Sequence, residues 1–180
     1  MINDFKKCFQ YSLGAREKFD ESVLLKLLWK SVNVKKTDKD TDKQGVDYIV
    51  TFKDGSIATI DSKTRMPGSS KFWKHGEPEL CIERYSVVEE KIKGWLLKES
   101  DIHPDYILYT FDAKDTPNVY LIPFILLRNA TFKHGKTWRD TYGLKVQRSE
   151  YKTEYHSDAL FVPASIVIKA VSEEMMATAV

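Results

Sequence analysis

The chain predicts an α/β fold, a central mixed β-sheet flanked by helices, in a single domain spanning residues 1–180. Three observations lead there. The 180 residues are 42% apolar and 30% charged, a length and composition suited to one domain with a sizeable core. Residues 15–31 carry apolar side chains at helical spacing. Several short β-rich runs and then mixed elements follow, an order that favours α/β or α+β architecture around a mixed sheet.

Phe19, Val23, Leu24, Leu27 and Leu28 mark one stripe of a helix over 15–31. Residues 35–43, with four lysines and three aspartates, form a nearly neutral charge run that reads as a solvated loop. Residues 46–52 and 57–63 are β-rich and flank Asp54-Gly55-Ser56, so they read as a hairpin. Residues 65–78 read as a loop, punctuated by Pro67, Gly68, Ser69, Ser70, Gly76 and Pro78. A third strand is expected over 79–88, whereas 89–98 is ambiguous. Residues 106–111 read as a strand, and 119–127 as a strand running into a short helix or another strand. Residues 140–149 suggest a short hairpin arm, and 164–175 a last helix.

Composition excludes several classes. The net charge of +2 does not by itself imply nucleic-acid binding, so any basic surface must be local. Cys8 and Cys81 make no metal spacing and read as reduced thiols of a cytoplasmic protein. Residues 1–6 lack a signal-peptide core, and the apolar stretch at 120–127, which contains Pro123, is far short of a membrane span. The histidines (His75, His103, His134 and His156) show no paired zinc spacing. Phosphate-binding glycine loops and a G-x-S-x-G elbow are absent, which removes the usual support for NTPase, dinucleotide-binding and esterase readings.

The chemistry-bearing residues sit on the hairpin: Asp47 on one run, Asp61-Ser62-Lys63 on the other. Side chains alternate along a strand, so Asp61 and Lys63 share a face. The register decides whether Asp47 joins them. With a two-residue Asp54-Gly55 turn, Asp47 faces Ser62 and lies on the wrong side. With a three-residue Asp54-Gly55-Ser56 loop, Val50 faces Ile60 and Asp47 faces Lys63. The second register puts Val46, Tyr48, Val50, Phe52, Ala58 and Ile60 on one face. Asp47, Thr51, Thr59, Asp61 and Lys63 take the other, with Ile49 and Ile57 as apolar exceptions. Register follows such a pattern because a one-residue slip exchanges the faces, although a bulge would alter it.

Two carboxylates and a lysine suit phosphodiester hydrolysis. Mg²⁺ takes one or two carboxylates with waters and substrate phosphate, and it activates water while offsetting transition-state charge. Asp47 and Asp61 would be the ligands, with the Ser62 carbonyl as a third. Lys63 would orient the water, help deprotonate it or stabilise developing charge.

Asp47 followed by Asp61-x-Lys63 at the end of the next strand, after a helix and a Gly-Val-Asp lead-in, resembles the PD-(D/E)XK nuclease superfamily. Restriction endonucleases, Holliday-junction resolvases and phage exonucleases belong to it. The resemblance covers residues 15–111 and departs at Val46, where the motif name has proline. It implies a restriction endonuclease-like core: a helix, a three-stranded meander, a crossover helix and another strand. It further implies a nuclease that hydrolyses DNA with Mg²⁺ or Mn²⁺, or a catalytically inactive relative that binds nucleic acid or protein. Two cuts need two sites, so a homodimer is consistent with it.

Family members often add an acid from the first helix. Glu17 is the first choice here and Asp20 the second, both on or near the apolar arc, with Glu21 at its margin. Glu83 is a further candidate for an outer ligand. Two basic and aromatic segments, 71–76 and 134–139, could contact phosphates and bases through Lys71, Trp73, Lys74, Lys136 and Arg139. Trp73 and Trp138 could instead anchor their loops to the core.

Overall fold

The computed structural model describes residues 2–3, 15–38, 41–42, 45–65, 73–99, 103–111, 118–151 and 153–178; at 2–3, 15–17, 147–151 and 153–154 it describes the backbone alone. In chain order the elements begin with β1 (Ile2–Asn3), α1 (Ala15–Leu27), β2 (Ser31–Lys36), β3 (Tyr48–Phe52) and β4 (Ile57–Arg65). They continue with β5 (Glu79–Val87), β6 (Ile92–Lys93), β7 (Tyr106–Phe111) and β8 (Asn118–Pro123). The last four are α2 (Phe124–Tyr142), β9 (Leu144–Tyr151), β10 (Thr153–Pro163) and α3 (Ala164–Thr178). The fold is mixed α/β, with strands in two sheets: β1-β9-β10-β5-β6 and β2-β3-β4-β7-β8. The chain divides into two compact units, a meander unit of residues 8–69 and 100–124 and a hairpin unit of residues 1–7, 70–99 and 125–180.

In the meander unit, β2, β3 and β4 form an antiparallel meander. Strand β7 then pairs with β4 in parallel, and β8 closes the sheet antiparallel to β7. Helix α1 lies on one face. Its Leu24 is fully buried in a cluster with Tyr48, Val50, Ile60 and Leu108, and Val23 and Leu28 pack against that cluster. Leu27, expected in the same stripe, is instead exposed.

The solvated loop expected over 35–43 is corrected in part. Lys35 and Lys36 belong to β2 and pair with Ile49 and Tyr48. The alternation Val32, Val34 is too short to be recognised beside the lysines, and the β3 ladder supplies the missing order. Beyond it, Asp38 accepts a hydrogen bond from the Thr41 N–H (2.9 Å) through its side chain and one from the Asp42 N–H (2.9 Å) through its carbonyl. Gly45, at φ +94°, returns the chain toward β3.

The hairpin register also needs correction. Tyr48 pairs with Ile60 and Val50 with Ala58, so the loop is Lys53-Asp54-Gly55. The Phe52 N–H donates to the Ser56 carbonyl (2.9 Å), which returns Ser56 to the ladder. The turn explains the shift: Asp54 accepts from both the N–H and the hydroxyl of Ser56, and Gly55 takes φ +83°. Extending the ladder sets Asp47 beside Asp61 rather than Lys63. The displacement is an even number of residues, so the faces remain those the apolar pattern gives.

In the hairpin unit, β10 pairs antiparallel with both β9 and β5. The strand expected over 79–88 is therefore present as β5 but belongs to this sheet, and the meander takes β2 as its third member. The loop expected around 134–139 is helical. Phe124, Leu127, Ala130, Thr131 and Trp138 are buried along one side of α2, a spacing obscured by Gly135 and the intervening charges. Residues 140–149, expected as a hairpin arm, divide between the end of α2 and β9. The Gly143 N–H caps α2 on the Arg139 carbonyl (2.9 Å) with φ +76°. Strand β10 lacked a legible pattern; α3 begins where expected and runs to Thr178.

Candidate active site

Asp61 lies on β4, between β3 and β7, and is 4% exposed. Such a carboxylate in a sheet interior requires compensation. Lys63, two residues on and on the same face, supplies part of it, with Nζ 2.8 Å from Asp61 Oδ1. Asp47 stands just before β3, half-buried, with its own N–H donating to the Ile60 carbonyl (2.8 Å). Its Oδ2 accepts the Ser62 N–H at 2.7 Å. A residue's N–H and C=O project to the same side of a strand. The Ser62 carbonyl thus points to the edge from which Asp47 approaches. Asp47, Asp61, Ser62 and Lys63 are accordingly brought together.

Their electrostatics follow from that crowding. Burial pushes the Asp47 carboxyl above its ordinary pKa, and the Asp61 charge pushes the same way. The Lys63 charge and the bonds to Ser62 and Asp42 pull it back. Asp42 is the residue that sequence reasoning missed. Burial raises its pKa first, followed by its hydrogen bond to Asp47 and the Asp47 charge, while Lys36 and Lys63 oppose. The turn capped by Asp38 carries Asp42 to Asp47. The Asp38-x-x-Thr41 spacing is the one sequence signal for it, inside a run that otherwise reads as solvated charge.

The helix acid that reaches these strands is Asp20, 1% exposed. Its Oδ2 accepts from the Ser62 hydroxyl (2.8 Å) and the Tyr48 hydroxyl (3.2 Å). Both donors lie on the α1 face of the sheet, opposite Asp61 and Lys63. Asp20 thus ties α1 to Ser62 from behind. The Glu17 backbone belongs to α1, and its side chain lies outside the described residues.

The donor set is all oxygen: two adjacent carboxylates and a strand carbonyl, which fits a hard divalent cation. The fit is also electrostatic, because the Asp61 charge disfavours that of Asp47 and a bound cation would offset it. Among the described residues, no cage of three or more His, Cys, Asp or Glu ligands is present.

The proposed nucleic-acid residues fall in the hairpin unit. Lys71 lies outside the described residues. Trp73 is half-buried, and Lys74 is exposed with its N–H on Glu79 Oε1 (3.0 Å). His75 meets Tyr142 edge-on at 5.4 Å, which sets this segment against the end of α2. Lys136 and Arg139 are exposed on α2, and Arg139 lies 3.8 Å from Asp140. Trp138 is buried and stacks with His134 (5.8 Å between rings), so it anchors the helix. Glu83, on β5, accepts from the Ser86 hydroxyl at 2.7 Å.

Comparison with protein-family models, curated proteins and solved structures found no match to this chain.

Proposed function

We infer that the chain is a divalent-metal-dependent nuclease acting on DNA. One observation carries the reading: Asp47, Asp61 and Lys63 converge on one face of the meander, with the Asp61 charge close enough to raise the Asp47 pKa. The element order supports it. A helix, a three-stranded antiparallel meander and a parallel fourth strand follow one another as the PD-(D/E)XK resemblance implies. Where the resemblance implies a crossover helix, the chain passes through β5 and β6, and the described residues between β4 and β7 contain no helix.

Asp47, Asp61 and the Ser62 carbonyl would hold the cation. When bound, Mg²⁺ would supply Lewis-acid stabilisation of the phosphate and an acidified water. Lys63, released from part of its pairing with Asp61, would orient that water and stabilise charge on the phosphoryl oxygens. Asp20 would fix Ser62 from the α1 side and so hold the β4 backbone in place.

The test is cleavage of single-stranded, double-stranded and branched DNA, and of RNA, with Mg²⁺ or Mn²⁺. The wild type should cut, and Asp61→Asn and Lys63→Ala should cut far more slowly, at unchanged secondary structure. Absence of cleavage on every substrate would defeat the reading. A catalytically silent binding protein is the second reading. The 2.8 Å Lys63–Asp61 pair favours it, because the lysine offsets the Asp61 charge from within the protein.

A further inference from the structure

Trp29 is 82% exposed at the turn between α1 and β2. An indole left this open presents a face on which another ring can stack. Three features of this corner point to a chemistry. The Lys30 ammonium sits 4.4 Å from the Trp29 ring centroid. Lys30 itself holds φ +67°, a left-handed conformation that is strained for a non-glycine residue. That backbone is tied down by the Lys53 N–H, which donates to the Lys30 carbonyl at 3.0 Å and so places the β3–β4 turn beside Trp29. Lys26, Lys30 and Lys53 are all exposed here. Asp54, the acid of the same turn, directs its carboxylate to Ser56 at 2.6 and 3.0 Å.

We propose that Trp29, with Lys26, Lys30 and Lys53, is a stacking platform for an unpaired base of a single-stranded nucleic-acid segment. An open indole supplies the π-face, and the lysines take the flanking phosphates; this is the recurrent way in which proteins hold single strands. A lysine already over an aromatic ring is placed to bridge base and backbone. The inference rests on the nuclease reading for its setting and adds a substrate feature to it. The platform is at the turn end of the β3–β4 hairpin, and Asp47 and Asp61 are at the other end. Five residue steps lead from Ser56 to Asp61, roughly 17 Å of strand at about 3.3 Å per step. The platform therefore engages a strand a few nucleotides from the phosphate that meets Asp61.

The experiment is anisotropy of fluorescently labelled single-stranded DNA in EDTA, where cleavage does not contribute. Trp29→Ala should weaken binding about 10-fold and Trp29→Phe about 2-fold, with thermal unfolding unchanged because the ring is exposed. Lys53→Ala should flatten the salt dependence. Under Mg²⁺, the Trp29→Ala penalty should vanish on fully paired substrates, which offer no free base to the ring. Equal binding by wild type and Trp29→Ala would overturn the platform, even if the wild type cleaves. A Trp29→Ala variant that instead turns a dimer into a monomer, with oligonucleotide binding intact, would also overturn it and make the corner a subunit contact. Loss of cleavage in Asp61→Asn with the Trp29 effect intact separates the two readings.

Discussion

Each sheet buries carboxylates, and the two treat them differently. In the hairpin unit Asp158 is 3% exposed, and it accepts from Arg84 Nη2 at 2.9 Å and the Tyr85 N–H at 3.0 Å. Glu79, equally buried, accepts the Lys74 N–H and lies 3.9 Å from Lys145. Each is solitary, and each bridges a cation and a backbone donor. In the meander unit the acids are gathered: the Asp61 charge raises the Asp47 pKa, and Asp47 raises that of Asp42. A solitary buried acid with donors on both oxygens holds structure. Gathered acids that disfavour their own charge cost stability and await a positive ligand.

That contrast is most sharply broken at Asp61. Asp61→Asn keeps the shape and removes the charge, so cleavage should fall about 10³-fold, several kcal/mol of transition-state stabilisation. Lys63→Ala should cost about 10²-fold. Steady-state rates on one DNA substrate, with circular dichroism as a fold control, decide it. Full activity in Asp61→Asn would place Asp61 among the structural acids.

At Asp158 the opposite split is expected. Asp158→Ala leaves the Tyr85 N–H without its acceptor and Arg84 without its partner, at a cost of about 2–3 kcal/mol. For a chain of this length that is a fall of about 5–10 °C in melting temperature. Cleavage per folded molecule should not change. Asp158→Asn, which keeps an acceptor for Tyr85, should lose less.

Why the site was legible and its surroundings were not follows from particular residues. Val46, Tyr48, Val50, Ala58 and Ile60 specify a face, and face parity alone gathers Asp47, Asp61 and Lys63. The loop residue at which the chain turns is chosen by Asp54 and Gly55 chemistry, which pattern does not resolve, so the register shifted while the faces held. Asp42 was hidden because its position depends on a capped turn rather than on periodicity. Helix α2 was hidden by Gly135 and by basic residues between buried positions. The assignment of β5 to the second sheet depends on pairing with β10, a contact remote in sequence.

A smaller effect tests the cost of gathering acids. Asp42 and Asp47 have raised pKa values in the folded chain, so the folded state holds protons more tightly than the unfolded state. The stabilisation from those protons is fully present below the ordinary carboxyl value, about pH 4. It is lost as pH rises through the raised values. Asp47→Asn keeps an acceptor for the Ser62 N–H and removes the charge facing Asp61. It should stabilise the protein at neutral pH by about 1 kcal/mol, as replacements at functional sites commonly do, and flatten the loss between mildly acid and neutral pH. Mg²⁺ should raise the wild-type melting temperature and leave Asp47→Asn unmoved. Melts across pH, with and without Mg²⁺, measure both.

The smallest expected effect asks whether the hairpin unit has any part in substrate binding. Lys136 and Arg139 are exposed on α2, three residues apart and so on neighbouring positions of one face. The segment that carries Lys74 is held against the end of that helix through His75 and Tyr142. Arg139 has Asp140 at 3.8 Å, which dilutes its charge. If both residues contact phosphates, Lys136→Ala with Arg139→Ala should lower DNA affinity only a few-fold. The same pair of changes should reduce the slope of log affinity against log salt by about 1.8, because each released phosphate contact contributes about 0.9. The turnover number should stay constant, since phosphate contacts position a substrate without taking part in the chemistry. An unchanged salt slope would make these cations an ordinary solvated helix face. The hairpin unit would then be a scaffold whose buried acids, cations and helices serve folding alone.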